Sequence, residues 1–351
     1  MKFKTPPRLY EGNKVAIVSP SAGLASIFPW VYELGLKRLR EVFLLEPIEF
    51  PTARKDPGYL ERHPQARAED INAAFADKSI KAVIGTIGGN DQIRILPFLD
   101  AKTLSLNPKL FLGYSDSTNL HLFLWNLGII SYYGGNLMTQ FAMQGNMHNF
   151  TVHYLKKAFF EASIGEIQSA PEWTDYDLQW EDPQNLYKSR PLYKSAGWHW
   201  HNFENKVIKG RLWGGCLEVL DLHFSVKRYL PPADQLANCI LYLETSEEMP
   251  SEGFVYRFLA ALGELGILQK FKGMLFGRPK AQFCNRLPPE GQKMFISNQQ
   301  MAVKKALKDY SSDLPVVFNL NFGHTDPQVI IPNGEMAFID GIEKTIRFGS
   351  I

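Results

Sequence analysis

The sequence predicts an α/β protein with a helix-covered parallel sheet in its N-terminal part and a second unit behind it. Three observations carry that prediction. From Lys14 to Gly128 short apolar runs alternate with segments of helical spacing, the pattern of parallel strands joined by crossover helices. The chain has 351 residues, long enough for two domains with cores of their own. Patterning also changes twice, fading near Ser163 as aromatics thicken and resuming near Val207. The expected division is therefore 1–162, a connecting segment 163–206, and 207–351.

In chain order, Lys14-Val15-Ala16-Ile17-Val18 reads as a buried strand ending in a loop with Ser21-Ala22-Gly23. Pro29 to Phe43 follows with helical spacing, its Leu34, Leu36, Leu39 and Val42 set among charges. Glu46 to Phe50 is a second strand, His63 to Lys78 a helix, and Ile80 to Ile87 a third strand rich in β-branched residues. Gln92 to Leu99 resumes a helical pattern, and Phe150 to Ala162 is a further helix. Past Val207, Cys216 to Phe224, Phe254 to Leu265 and Ser297 to Leu307 have helical spacing, while Cys239 to Leu243, Gly273 to Phe276 and Val316 to Asn319 read as strands. Gln328 to Ile331, Glu335 to Asp340 and Lys344 to Phe348 look like antiparallel hairpin material, with Asn333-Gly334 as a turn.

Composition narrows the function. A net charge of +2 gives no reason to expect a nucleic-acid polymer or an anionic membrane as partner. Three cysteines, Cys216, Cys239 and Cys284, form no C-x-x-C pair and leave one over, which argues against a disulfide framework and for a reducing compartment. Met1 to Pro20 has no apolar core of signal-peptide length, so a cytoplasmic protein is expected. There is no H-E-x-x-H, no clustered Cys/His spacing, no Walker lysine and no G-x-G-x-x-G at a strand end, so neither metal nor nucleotide cofactor is expected.

The most informative stretch is Lys109-Leu110-Phe111-Leu112-Gly113-Tyr114-Ser115-Asp116-Ser117-Thr118, followed by the apolar helical pattern Asn119 to Gly128. It reads as strand, sharp turn, helix. A serine at such a turn has an exposed hydroxyl, with the next backbone N–H and the helix dipole aimed where an oxyanion would form. Ser115 is thus a candidate nucleophile and Asp116 a candidate oxyanion donor through its backbone. The alternative is that Ser115, Asp116 and Ser117 only cap the helix, and Ser117 stands where a G-x-S-x-G elbow has its second glycine. The loop Gly85-Thr86-Ile87-Gly88-Gly89-Asn90-Asp91 should lie at the same end of the sheet, where Gly88 could give a second donor or simply make a turn.

A serine nucleophile needs a base, and the base an orienting acid. Among eight histidines His324 stands out, in the polar loop Asn321-Phe322-Gly323-His324-Thr325-Asp326-Pro327 just after a strand. His121, His199 and His201 read as structural. Glu244 follows the apolar run Ile240-Leu241-Tyr242-Leu243 directly, and Glu247 or Glu248 could take the same role. Between the two halves, Trp173, Trp180, Trp198 and Trp200 could stack on a planar ligand or pack between domains.

Taken together, Ile87-Gly88-Gly89, Gly113-Tyr114-Ser115-Asp116, Gly214-Gly215, Leu241-Tyr242-Leu243-Glu244 and Gly323-His324-Thr325-Asp326 resemble, in that order, the LD-carboxypeptidase family of serine peptidases. The likeness runs from about Lys14 to Ile331 and leans towards the branch of microcin C immunity proteins of MccF type. The resemblance implies a flavodoxin-like N-terminal domain, a smaller β-rich C-terminal domain and a homodimer. It also implies a triad of Ser115 as nucleophile, His324 as base and Glu244 as orienting acid, an oxyanion hole from Gly88 and Asp116, and an active site where the domains meet. The substrate implied is a peptidyl or aminoacyl nucleotide, with a muropeptide carrying an L,D bond as the alternative and a non-catalytic ligand-binding protein as a reading of another class. Cys216 departs from the family, which more often has asparagine after the Gly-Gly pair.

Overall fold

The computed structural model describes residues 2–282 and 287–349; Cys284 lies outside them. The chain divides into two compact units. The first comprises 1–163, 178–190 and 330–334, and the second 164–177, 191–329 and 335–351.

The sheet of the first unit runs Ile331–Asn333, Ser131–Tyr133, Leu110–Gly113, Ile80–Gly85, Lys14–Val18, Glu46–Glu49. Its five N-terminal strands are all parallel. Numbered along the chain they stand in the order 2-1-3-4-5, the flavodoxin-type doubly wound arrangement, in which ligands bind outside the carboxyl ends of the strands near the first and third. Helices Pro29–Val42, Pro64–Ala76, Thr118–Asn126 and Asn149–Phe160 alternate with these strands. Val15, Ala16, Ile17 and Val18, like Ala82, Val83 and Ile84, have no solvent exposure, as expected of a parallel sheet covered on both faces.

The second unit is built on eight strands in the order Gly165–Ile167, Thr345–Phe348, Met336–Asp340, Val207–Cys216, Ile240–Glu244, Gly273–Gly277, Val316–Leu320, His199–His201. Its centre is parallel and its margins antiparallel. Val207–Cys216 makes the change within one strand: residues 207–211 pair antiparallel with Met336–Asp340, and 212–216 pair parallel with Ile240–Glu244. The α/β class and the parallel N-terminal sheet are as the sequence predicts.

One expectation is corrected. Asn333-Gly334 does not close a hairpin. Ile331–Asn333 pairs with Ser131–Tyr133 in the sheet of the first unit, whereas Met336–Asp340 pairs with Thr345–Phe348 in the second. Gly334 does take a positive φ, as a turn glycine should, but the strands it separates go to different sheets.

Candidate active site

In the first unit, Leu110–Gly113 is fully buried and ends at Tyr114, and Ser115 begins a tight turn that runs into the helix Thr118–Asn126. Ser115 has φ +63°, a left-handed conformation unusual for a residue with a Cβ. A capping serine sits instead in the extended region and bonds to the helix amides. No side-chain capping bond is made from Tyr114 or Ser117, which hold the cap positions of the turn and the helix. Ser117, at the cap position of the helix, thus makes no side-chain capping bond, and the bend at Ser115 is strain of a kind typically held at functional positions.

Several contacts fix the bend. The Ser115 amide donates to the Tyr133 hydroxyl at 3.1 Å, and the Thr118 hydroxyl donates to the Ser115 carbonyl at 2.7 Å. The buried Asp116 carboxylate accepts from the Ser21 hydroxyl (2.8 Å), the Asp91 and Gln92 amides (3.1 and 2.9 Å) and the Asn119 side chain (2.8 Å). Burial pushes the Asp116 carboxyl up to about 6, although these donors favour its charged form. Arg67, fully buried, pairs with Asp91 through both terminal nitrogens at 2.7 and 2.9 Å. The loops after three strands are thus tied together under the serine.

Gly88 stands against Ser115. A Cβ added there would lie 3.0 Å from Ser115 Cβ, 3.1 Å from Ser115 Oγ and 3.6 Å from the Asp116 amide nitrogen. The missing side chain leaves space beside the hydroxyl and the amide. His121 is structural: it is fully buried between the Ser131 hydroxyl and the Gly113 carbonyl, and burial drives its pKa down to about 4.

In the second unit, Glu244 is the last residue of the buried strand Ile240–Glu244. His324 follows Val316–Leu320 on a loop held by the bonds Val329 N–H to Asn321 O (2.6 Å) and Thr174 N–H to Asp326 O (2.7 Å). Gly323, with φ +93°, brings this loop against the carboxylate; a Cβ there would lie 2.6 Å from Glu244 Oε2. The result is a hydrogen bond of 2.7 Å between His324 Nδ1 and Glu244 Oε2. A second carboxylate, Glu247, places Oε2 2.8 Å from His324 Nε2. The Glu244 side chain is fully buried and that of His324 is 7% exposed, but that of Glu247 is 42% exposed. Burial alone would favour neutral imidazole; Glu244 and then Glu247 outweigh it and hold His324 well above the usual histidine range. The sequence left Glu244, Glu247 and Glu248 as alternatives for one role; Glu244 and Glu247 instead take the two nitrogens of one ring.

Around Glu244, the Ser246 amide and hydroxyl both donate to Glu218 Oε1, at 2.9 and 2.6 Å. Cys216 is buried with its Sγ 3.3 Å from Glu218 Oε2. Arg278, buried and missed in the sequence, lies over the Trp173 ring at 4.5 Å and donates to the Ser195 hydroxyl at 3.0 Å. Only its place just past a strand's carboxyl end could have suggested it.

The four tryptophans fall in three settings. Trp173 packs on Tyr193 and Arg278. Trp198 and Trp200 neighbour each other, with ring centroids 6.3 Å apart, and Lys344 lies 5.0 Å from the Trp200 ring. Trp180 belongs to the first unit, against Phe28, and its carbonyl accepts from Trp30 Nε1 at 2.9 Å. Among the described residues no group of three or more His, Cys, Asp or Glu could hold a metal ion, and no helix is long and apolar enough to cross a membrane.

Residues 15–134 match the model of the LD-carboxypeptidase N-terminal domain, and residues 209–339 that of the LD-carboxypeptidase C-terminal domain. A crystal structure of an MccF-like protein from Streptococcus pneumoniae in complex with AMP is 31% identical, with a TM-score of 0.83 over 96% of this chain and 98% of that one. The microcin C7 self-immunity protein MccF of Escherichia coli is 25% identical over 80% of this chain and 77% of its own. A protein of Bacillus subtilis named as a probable murein peptide carboxypeptidase is also 25% identical, over 97% of this chain and 92% of its own. With both domain models matched in order, the chain belongs to the LD-carboxypeptidase family and is a serine peptidase.

Proposed function

We propose that this peptidase cleaves an amide bond near a free carboxyl end through an acyl-enzyme, with Ser115 as nucleophile, His324 as general base and Glu244 as the acid that orients it. The observation that carries the reading is the buried 2.7 Å pair of Glu244 with His324 Nδ1, the arrangement in which an acid orients the ring and Nε2 serves as the base. Ser115 Oγ attacks the carbonyl carbon as its proton passes to His324. The Gly88 and Asp116 amides stabilise the oxyanion. The C–N bond then breaks as His324 returns the proton to the leaving nitrogen, and water hydrolyses the ester.

The substrate we propose is a peptidyl or aminoacyl nucleotide. The AMP complex of the Streptococcus pneumoniae relative and the microcin immunity role of the Escherichia coli relative support it. The aromatic groups around Trp173, Trp180, Trp198 and Trp200 suit a planar base. The Bacillus subtilis relative supports a muropeptide instead. A side-by-side assay of an aminoacyl sulfamoyl adenosine and an L,D-linked muropeptide tetrapeptide decides: release of the amino acid from the first at the higher kcat/KM is expected, and cleavage of the muropeptide alone would overturn the nucleotide reading. His324→Ala should abolish either activity.

A further inference from the structure

The second carboxylate on His324 has no place in that reaction. A serine proton must arrive at Nε2, yet Glu247 Oε2 lies 2.8 Å from that nitrogen. With carboxylates on both sides the ring is held as imidazolium, a form that cannot accept a proton. Glu247 must leave before catalysis.

The surroundings show what can move. The backbone is pinned on both sides of Glu247: Ser246 by Glu218, and Pro250 through its carbonyl, which accepts from Gln299 Nε2 at 2.7 Å. Gln299 also bonds the Thr245 hydroxyl at 3.1 Å. The Glu247 side chain, in contrast, is nearly half exposed, although the Oε2 against the ring is itself buried. It can rotate off the ring while the loop stays in place.

The charges around it show what would draw it off. Among the described residues, the charges that act most on this ion pair are Glu244 from the end of its strand, Lys280 from the segment after Gly273–Gly277, and His324 itself. Glu218 lies behind the loop at the start of its helix. Burial would raise the Glu247 carboxyl, but the imidazolium outweighs it and lowers it to about 2; off the ring and in water it is an ordinary glutamate, still charged at neutral pH. Lys280 is already engaged, 2.6 Å from Asp177 Oδ2 and donating to the Asp175 carbonyl at 3.1 Å. Glu218 repels it. Among the described residues that act most on this pair the one cation besides His324, Lys280, is committed to Asp177, and a counter-charge brought by the substrate would draw Glu247 off.

Given the triad reading above, on which it rests, we propose that Glu247 is a specificity-determining latch: it covers the base in the resting enzyme and is drawn off by a cationic group carried by the substrate beside the scissile amide. The latch suppresses reaction of Ser115 with substrates lacking that charge.

A matched pair of fluorophosphonates tests this, one with a quaternary ammonium and one with its uncharged tert-butyl isostere. In each, Ser115 Oγ bonds to phosphorus, fluoride leaves and the serine proton passes to His324, and the probe's own charge does not change with pH. Wild type should be labelled faster by the ammonium probe, roughly tenfold at pH 7, a factor that corresponds to one pKa unit at the base. In Glu247→Gln the neutral probe should gain that factor, the preference should vanish, and the midpoint of its pH–rate curve should move down by about one unit. An unchanged preference and midpoint in Glu247→Gln, with Ser115 labelled, would overturn the latch and leave the triad standing. No labelling of wild type by either probe at any pH would overturn the triad, and the latch with it.

Discussion

Two sets of carboxylates serve opposite ends in this chain. Asp116, beneath the serine turn, is surrounded by neutral donors: a hydroxyl, two backbone amides and a carboxamide. Glu244 and Glu247 face the two nitrogens of one imidazole. Neutral donors only partly replace water, so burial prevails and pushes the Asp116 carboxyl up to about 6. Its donors come from three loops, and its work is to hold the backbone in shape. An ionisable partner turns the same kind of burial into proton chemistry, and His324 is driven far from its ordinary value. The difference teaches that a buried carboxylate is read by its partners rather than by its depth.

Substitutions can break this contrast, beginning with the largest effect. Ser115→Ala should lower kcat by on the order of 10⁵-fold, because the members of a triad act as a unit, while the melting temperature stays put. Glu244→Gln should cost roughly 10⁴-fold in kcat, since the ring loses the partner that fixes its tautomer. The pH profile gives the sign. A base raised above its usual range is charged and idle at neutral pH, so wild-type kcat/KM should climb with pH to a midpoint above the ordinary histidine value, and Glu244→Gln should bring that midpoint down. Gly88→Ala should cost on the order of a hundredfold in kcat with little change in stability, because the new methyl would crowd Ser115 Oγ at 3.1 Å.

Asp116→Asn tests the structural side. An amide cannot accept from four donors at once, so denaturant titration should show a loss of about 3 kcal/mol, in contrast to Glu244→Gln, whose main cost should be in turnover. An Asp116→Asn protein of full stability would erase the distinction. Ser115→Gly carries the smallest effect, a gain of about 1 kcal/mol, as glycine accepts φ +63° freely.

Much of this was legible in the chain because the signals are local. Val15 to Val18 and Ala82 to Ile84 announce buried parallel strands by composition alone, and the turn at Ser115 follows from an apolar run that stops at a glycine. The Asn333-Gly334 misreading has a different origin. Turn chemistry specifies a bend but not the partners beyond it, and Ile331–Asn333 pairs with a strand some two hundred residues earlier. His199–His201, set inside a segment without regular patterning, is an edge strand whose partner Val316–Phe318 lies more than a hundred residues later. The second carboxylate on His324 was equally hidden. Glu244, Glu247 and Glu248 are the same residue type within five positions, and only the path of the loop assigns Glu247 to the opposite nitrogen.

The most direct test of the account is intact-mass analysis of wild type and Ser115→Ala after exposure to the ammonium fluorophosphonate. A single adduct on wild type, absent from Ser115→Ala and strongly reduced in Glu244→Gln, is the predicted result. No adduct on folded wild type, or equal labelling of Ser115→Ala, would contradict the assignment of Ser115 as a nucleophile activated by His324 and Glu244.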